Sequence, residues 1–434
     1  MDFVSDCRLE TVILDNNQSK AKAINLVNTL CDKIEKQDRY IEAFIKEENR
    51  KSRLLKAIKA VYSRPKANFN RLRLPVVPVA VKDIFHVKNF STKAGSLLPA
   101  DVLTGKEAEV VTKLKNEGTV VLGKTVTTEF AYFHPGPTKN PHNLAHTPGG
   151  SSSGSAAAVA AGFTPLALGT QTIGSISRPA AYCGVIGFKP SYARISTKGV
   201  IPFSTSVDHV GFFTSDFTGS KIIAGILCNN WQEKPEQDNT SIRFGLPDEN
   251  YLQQADSQIL SEFDIIIKKL KKQGFRVKKT ALFSDIKEIN YLHHQLIAKE
   301  FAEVHKKNFS KYKNLYRPKT AQLIQKGAKV NAKVYQKAKQ GRWELRRKIT
   351  ELMNINEIDI WLSPAATSTA PRGLGSTGDP AMNLPWTYSG LPTLAIPLGT
   401  VNKLPFGLQF AAAYGNDEQL YEKIEKFLKQ LNES

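Results

Sequence analysis

Residues 148–190 read PGGSSSGSAAAVAAGFTPLALGTQTIGSISRPAAYCGVIGFKP, and the reading of this stretch decides the fold. Small residues let one backbone approach another, and glycine allows the positive-φ turns that aim N–H groups at a ligand. A flexible Gly/Ser linker has similar composition. A linker, however, has no reason to carry ordered elements. Residues 156–161 are good helix formers, and Ser155 or a neighbouring serine can cap them. Pro165, Leu166, Ala167 and Leu168 read as a short buried strand ending at Gly169, and a second Gly-Ser step follows at Gly174-Ser175. Loop, helix, strand and Gly-rich turn, in that order, predict a folded unit.

The same alternation extends outward. Residues 75–81 are apolar and rich in β-branched side chains, so they predict a buried strand with Lys82 just past it. Lysines are almost never fully buried unless paired. On these residues alone Lys82 turns outward and pairs with Asp83. Residues 107–133 predict a helix through Val110, Val111 and Leu114, then a strand at 119–122. Gly118 to Thr125, GTVVLGKT, satisfies the phosphate-loop pattern to the letter. Such a loop needs turn-forming residues between its glycines and a helix after the Lys-Thr. The intervening residues here are apolar or β-branched, and nucleotide binding is rejected. The Gly-x-Ser-x-Gly at 150–154 is a second accidental match. A loop precedes it instead of an apolar strand, and the later histidines (His209, His293, His294, His305) have no motif around them.

Three separated motifs, VPVAVKDIF around Lys82, the turn opened by Ser151 and the turn closed by Ser175, resemble those of the amidase signature family. The resemblance covers roughly residues 20–225 and 357–430. The wording Gly169-Thr170-Gln171-Thr172, with Arg178 three residues after Ser175, is closer to the malonamidase-like small-amide branch than to the fatty-acid-amide branch. The fold it implies is α/β, a large mixed and mostly parallel sheet flanked by helices, as one amidase domain over 1–434. Within it, 18–65 forms an N-terminal helical part of two amphipathic helices and 66–230 the catalytic core. Residues 241–355 form a basic, mainly helical part, and 356–434 add strands and a last helix.

The chemistry implied is a Ser–Ser–Lys triad. Amide hydrolysis needs a nucleophile, a base that passes its proton to the leaving amine, and donors for the oxyanion. Ser175 ends a Gly-rich turn and is the nucleophile candidate. The N–H groups of Thr172, Ile173, Gly174 and Ser175 would form the oxyanion hole. Lys82 would be the base, which requires burial and sparse counter-charge to lower its pKa. Ser151 would relay the proton, and the resemblance implies a cis peptide bond between Gly150 and Ser151. Two positions depart from the commoner pattern: Ile173 stands where the family usually has Gly, and Gln171 replaces an Asp. Arg178 is a candidate for holding a substrate carboxylate or polar head through its paired donors, or for a structural pairing within the turn. Thr170 and Gln171 complete the substrate-binding expectation, and Ser204, Ser206 and Asp208 are expected at the pocket rim. Neither metal nor cofactor is called for.

Composition bounds the rest. At 434 residues, 41% of them hydrophobic, the chain can bury a large core. No apolar run approaches the length of a membrane span, and the first residues are no secretory signal. Four scattered cysteines point to neither a zinc site nor a disulfide framework, and the expected setting is cytoplasmic. The net charge is +20, and residues 261–350 hold 24 Lys and Arg against 7 Asp and Glu. Such a block can steer anions, nucleic acid or an anionic surface, or simply be solvated. It could sit over the active site or form a peripheral layer. Residues 230–240 read as a polar surface connection.

The leading expectation is an amidohydrolase that acts on a small amide by itself, with a homodimer as a possible assembly. The rivals are an amidotransferase A-type subunit, which passes ammonia to a partner and could set the basic block near tRNA, and a silent scaffold. Intact Lys82, Ser151 and Ser175 argue against the scaffold.

Overall fold

Ten strands build one sheet in the computed structural model, which describes residues 3–233 and 242–432. They are β1 (Pro78–Lys82), β2 (Val120–Thr125), β3 (Leu166–Gln171), β4 (Ile186–Lys189) and β5 (His209–Thr214), then β6 (Arg243–Leu246), β7 (Arg276–Lys279), β8 (Ile360–Pro364), β9 (Thr393–Val401) and β10 (Leu404–Ala411). Their order across the sheet is β2-β1-β3-β5-β4-β9-β10-β8-β6-β7. Most of the expected connection at 230–240 lies outside the described residues.

The sheet is mixed, as expected, but it is not mostly parallel. Parallel pairing is confined to its two ends, where β1 joins β2 and β3, and β6 joins β7 and β8. Every neighbouring pair between β3 and β8 is antiparallel. One reason is local. Asn402 and Lys403 both have positive φ, 52° and 64°, the conformation of a two-residue hairpin turn, and it folds β10 straight back on β9. Apart from β4 and β5, which follow one another, the other antiparallel pairs join strands that are not consecutive in the chain or lie far apart in it.

Every residue of β1, β3 and β5 is buried. Strands covered on both faces read as continuous apolar runs, which is why β1 and β3 were legible. The helix Ser153–Ala160 is also buried on all sides and carries no polar stripe. Gly154 lets it pass close to another segment, because a Cβ there would lie 2.1 Å from the carbonyl oxygen of Ala43. Val120–Thr125 form a strand straight through the false phosphate-loop match.

Three elements differ from expectation. A helix at Leu9–Gln18 precedes the predicted pair, and its polar positions hide a buried face of Leu9, Val12 and Ile13. Residues 186–189 form β4, which the preceding Gly-rich turn obscured. Residues 195–213 read from sequence as short strands alternating with turns, but among the described residues only β5 is a strand there. The basic segment runs from the helix Ser257–Lys272 through β7 into the helices Ile286–Tyr312, Pro318–Ala328 and Ala332–Ile355.

Candidate active site

Lys82 is the last residue of β1, with strands paired on both sides, and its side chain is 0% exposed. Its Nζ donates 2.8 Å hydrogen bonds to the Ser151 Oγ and the Thr170 Oγ1. The outward pairing with Asp83 does not occur. Asp83 instead forms a buried ion pair with Lys124 at 2.7 Å. Burial pushes the Lys82 pKa well below the ordinary lysine value, and the charge of Asp208 acts in the opposite direction. A lysine with two hydroxyl partners and no contacting carboxylate is a usable base.

The Ser151 loop is bound to the end of β3. The peptide bond between Gly150 and Ser151 is cis. Ser152 Oγ accepts from the Thr170 N–H and donates to the Thr170 carbonyl, both at 3.3 Å, while Ser153 Oγ donates to the Gly149 carbonyl at 2.7 Å. The expected capping bond from a serine side chain to the following helix is absent. The serines brace the loop instead.

After β3 the chain turns through residues 172–176 into the helix Ser177–Cys183. Gln171 holds this turn from inside. Its Oε1 accepts the N–H groups of Ile176 (2.7 Å) and Ser177 (2.9 Å), and its Nε2 donates to Thr387 Oγ1 at 2.9 Å. Thr387 in turn donates to the Ile173 carbonyl at 2.6 Å. Gln171 is therefore fully engaged inside the protein and does not face a ligand. Thr170 likewise spends its hydroxyl on Lys82. Gln171 departs from the expectation that it binds substrate, whereas Thr170 also lines a cavity with Thr172 and Phe203; sequence spacing alone does not distinguish a residue that faces the site from one that braces it.

Ser175 is 8% exposed. Together with Ser151, Thr172, Ile173 and Arg178 it lines a chamber of about 10 Å³ whose other walls include Tyr132, Phe133, Phe203 and Pro380. Among the described residues, the N–H groups of Thr172, Ile173, Gly174 and Ser175 donate to no protein group. Four free donors beside a serine can stabilise a developing oxyanion. Gly174 is required by its surroundings, since a Cβ there would lie 2.3 Å from the Asn383 Oδ1.

Arg178 is 1% exposed. Its Nη2 donates to the Gly150 carbonyl at 2.6 Å and to Thr377 Oγ1 at 3.2 Å. Its Nε and Nη1 have no partner among the described residues. One edge of this arginine braces the cis loop, and the remaining donors belong to a chamber-lining guanidinium.

The three rim residues are not equivalent. Asp208 receives Thr172 Oγ1 at 2.6 Å and the N–H groups of Phe203 (2.8 Å) and Ser204 (2.9 Å). Burial pushes its carboxyl up to about 6. Ser204 and Ser206 bind Glu300 instead of facing the chamber, through the Ser204 Oγ (2.7 Å) and the Ser206 N–H (3.0 Å) and Oγ (2.5 Å). Tyr335 adds a fourth bond to Glu300 at 3.0 Å. Glu300 and Tyr335 belong to two of the basic helices, so that block is anchored to the loop beside the site. Thr377, Asn383, Thr387 and Glu300 were missed, and no motif surrounds any of them.

The fold and this geometry define an α/β protein with a buried serine- and lysine-bearing site suited to acyl transfer. Comparison with known proteins gives the family. The chain matches the Amidase family over residues 25–421, and it belongs to the amidase signature family. An amidase crystal structure superposes with a TM-score of 0.87 at 28% identity, covering 98% of this chain and 99% of that one. The A-type subunit of glutamyl-tRNA(Gln) amidotransferase from Thermotoga maritima gives 0.75 at 26% identity, covering 98% of this chain and 95% of that one. Its counterpart from Thioalkalivibrio sulfidiphilus is 33% identical over 395 residues, 79% of this chain and 81% of that one. Among the described residues no helix is long and apolar enough to cross a membrane.

Proposed function

We propose that this protein hydrolyses the C–N bond of a small carboxylic amide through an acyl-enzyme on Ser175. The observation that carries the reading is the 2.8 Å contact of Lys82 with Ser151 at a buried position with no carboxylate in contact. Neutral Lys82 takes a proton from Ser151, which takes one from Ser175 as its Oγ bonds to the carbonyl carbon. The oxyanion is held by the N–H groups of residues 172–175. The same relay returns the proton to the leaving nitrogen as the C–N bond breaks. Water then adds to the ester along the same path, releasing the acid and restoring Ser175. Arg178 holds a carboxylate or other polar head on the acyl side with the donors left after bracing Gly150.

Ammonia or amine release by the purified chain alone tests this, over small primary amides and half-amides, beside Ser175→Ala. Release that vanishes in the variant supports the reading, and equal release from both proteins overturns it. The second reading, an A-type subunit that delivers ammonia within a complex, is favoured by the names of the relatives just described. Its signature is no release by the chain alone and release once its partner is added.

A further inference from the structure

Outside the Ser175 chamber lies a second and far larger cavity. It has a volume of about 630 Å³ and shares three wall residues with the chamber: Phe133, Thr377 and Pro380. The chamber around Ser175 is narrow beside it, about 10 Å³ against about 630 Å³. The outer cavity lies within the range of small-molecule sites. An enzyme acting only on the smallest primary amides has no use for such a vestibule.

Most of its lining comes from the 376–384 segment, and the basic helices add Asn290, His294 and Lys319. Asn290 and His294 stand one turn apart on the helix Ile286–Tyr312, hence on one face of it. Asn290 Nδ2 donates to Gln254 Oε1 at 2.9 Å, which fixes the amide, and its own Oδ1 is buried without a partner among the described residues. The two charged side chains on the wall are Lys319 and Asp379. The charge of Asp379 acts on Arg178 and His294. Lys319 enters no ion pair among the described residues, and so it is the cation left for a ligand.

We infer that the vestibule receives the amine side of the substrate, and that this substrate is an N-substituted amide whose leaving amine is extended and ends in an acidic group. The inference rests on the proposed function, which puts the acyl side against Arg178. Cleavage leaves the acyl carbon on Ser175 and releases the amine, with the proton delivered through Ser151, directly into the larger cavity.

The test compares kcat/KM for half-amides of succinic acid with ammonia, n-butylamine, 4-aminobutanoate and 1,4-diaminobutane, using the full chain and its Lys319→Glu variant. The 4-aminobutanoate amide is expected to lead the series, by about ten-fold over the primary amide. In Lys319→Glu the ratio of the acid-tailed to the butyl substrate should fall by about the same factor. Turnover of the primary amide with no gain from any tail, or a ratio that Lys319→Glu leaves unmoved, overturns this inference alone. No turnover of any member overturns it together with the proposed function.

Discussion

The hydroxyl of Thr172 donates a 2.6 Å hydrogen bond to the carboxylate of Asp208, tying the start of the Ser175 turn to the loop at 203–208. The same carboxylate accepts two backbone N–H groups and is the charge that acts on Lys82. One acid therefore positions a proposed oxyanion donor and tempers the proposed base. The groups facing it are Lys82, Thr172 and, from the basic helices, Glu300. Asp208→Asn removes a negative charge that favours protonated Lys82, so the acid limb of the pH–rate profile should move to lower pH. Its amide oxygen can keep the Phe203 and Ser204 N–H groups, but its N–H₂ then faces Thr172 Oγ1, which loses its carboxylate acceptor, and kcat should fall. Thr172→Val breaks only the hydroxyl bond and should lower kcat without moving the limb. A pH profile of kcat/KM for the three proteins checks this.

Gly174→Ala should damage activity more than stability. Asn383 cannot step aside from the new methyl group, because its Nδ2 is held by the Ala365 carbonyl (2.8 Å) and Gln409 Oε1 (3.0 Å). The turn must move instead, misaiming the amide donors. The expected loss in kcat is roughly 10²–10³-fold, the scale of one lost oxyanion donor, with a stability cost of about 1–3 kcal/mol. Steady-state kinetics and thermal melting of one preparation separate the two effects.

The buried Lys124–Asp83 pair, 2.7 Å apart, predicts an asymmetric stability response. Lys124→Met strands a buried carboxylate and should cost about 3–5 kcal/mol. Adding Asp83→Leu should recover much of that loss. Burial already pushes the Asp83 carboxyl up, so the single variant's deficit should shrink as the pH falls and Asp83 takes up a proton. Denaturant melts at neutral and acidic pH would show it.

Lys189, a second fully buried lysine, has its ammonium brought down to about 7 by burial. In the unfolded chain it keeps the ordinary lysine value of about 10.4. Between those values the unfolded chain binds the proton more tightly, so this group adds stability as the pH rises. Relative to Lys189→Met, the wild type should gain roughly 1–2 kcal/mol from about pH 7 to about pH 9. Parallel pH-dependent slopes in the two proteins would refute it.

Local chemistry by itself determined much of this protein. The apolar run ending at Lys82, the Ala-rich helix after Ser153 and the Gly-rich turn at Ser175 each carry their own signal: continuous burial, helix propensity and turn composition. These signals separated α/β alternation from a linker and removed the false phosphate loop, because β-branched residues make a strand wherever they sit. Tertiary structure decided what depends on distant partners. Strand direction across the middle of the sheet, the pairing of Asp83 with Lys124 instead of Lys82, and the inward turn of Gln171 all join residues far apart in the chain or choose between faces. The same is true of Asp208 against Thr172, Glu300 beneath the 204–206 loop, and the vestibule between the basic helices and the 376–381 loop. A hydrogen bond is set by position in space, and only the folded sheet brings those positions together.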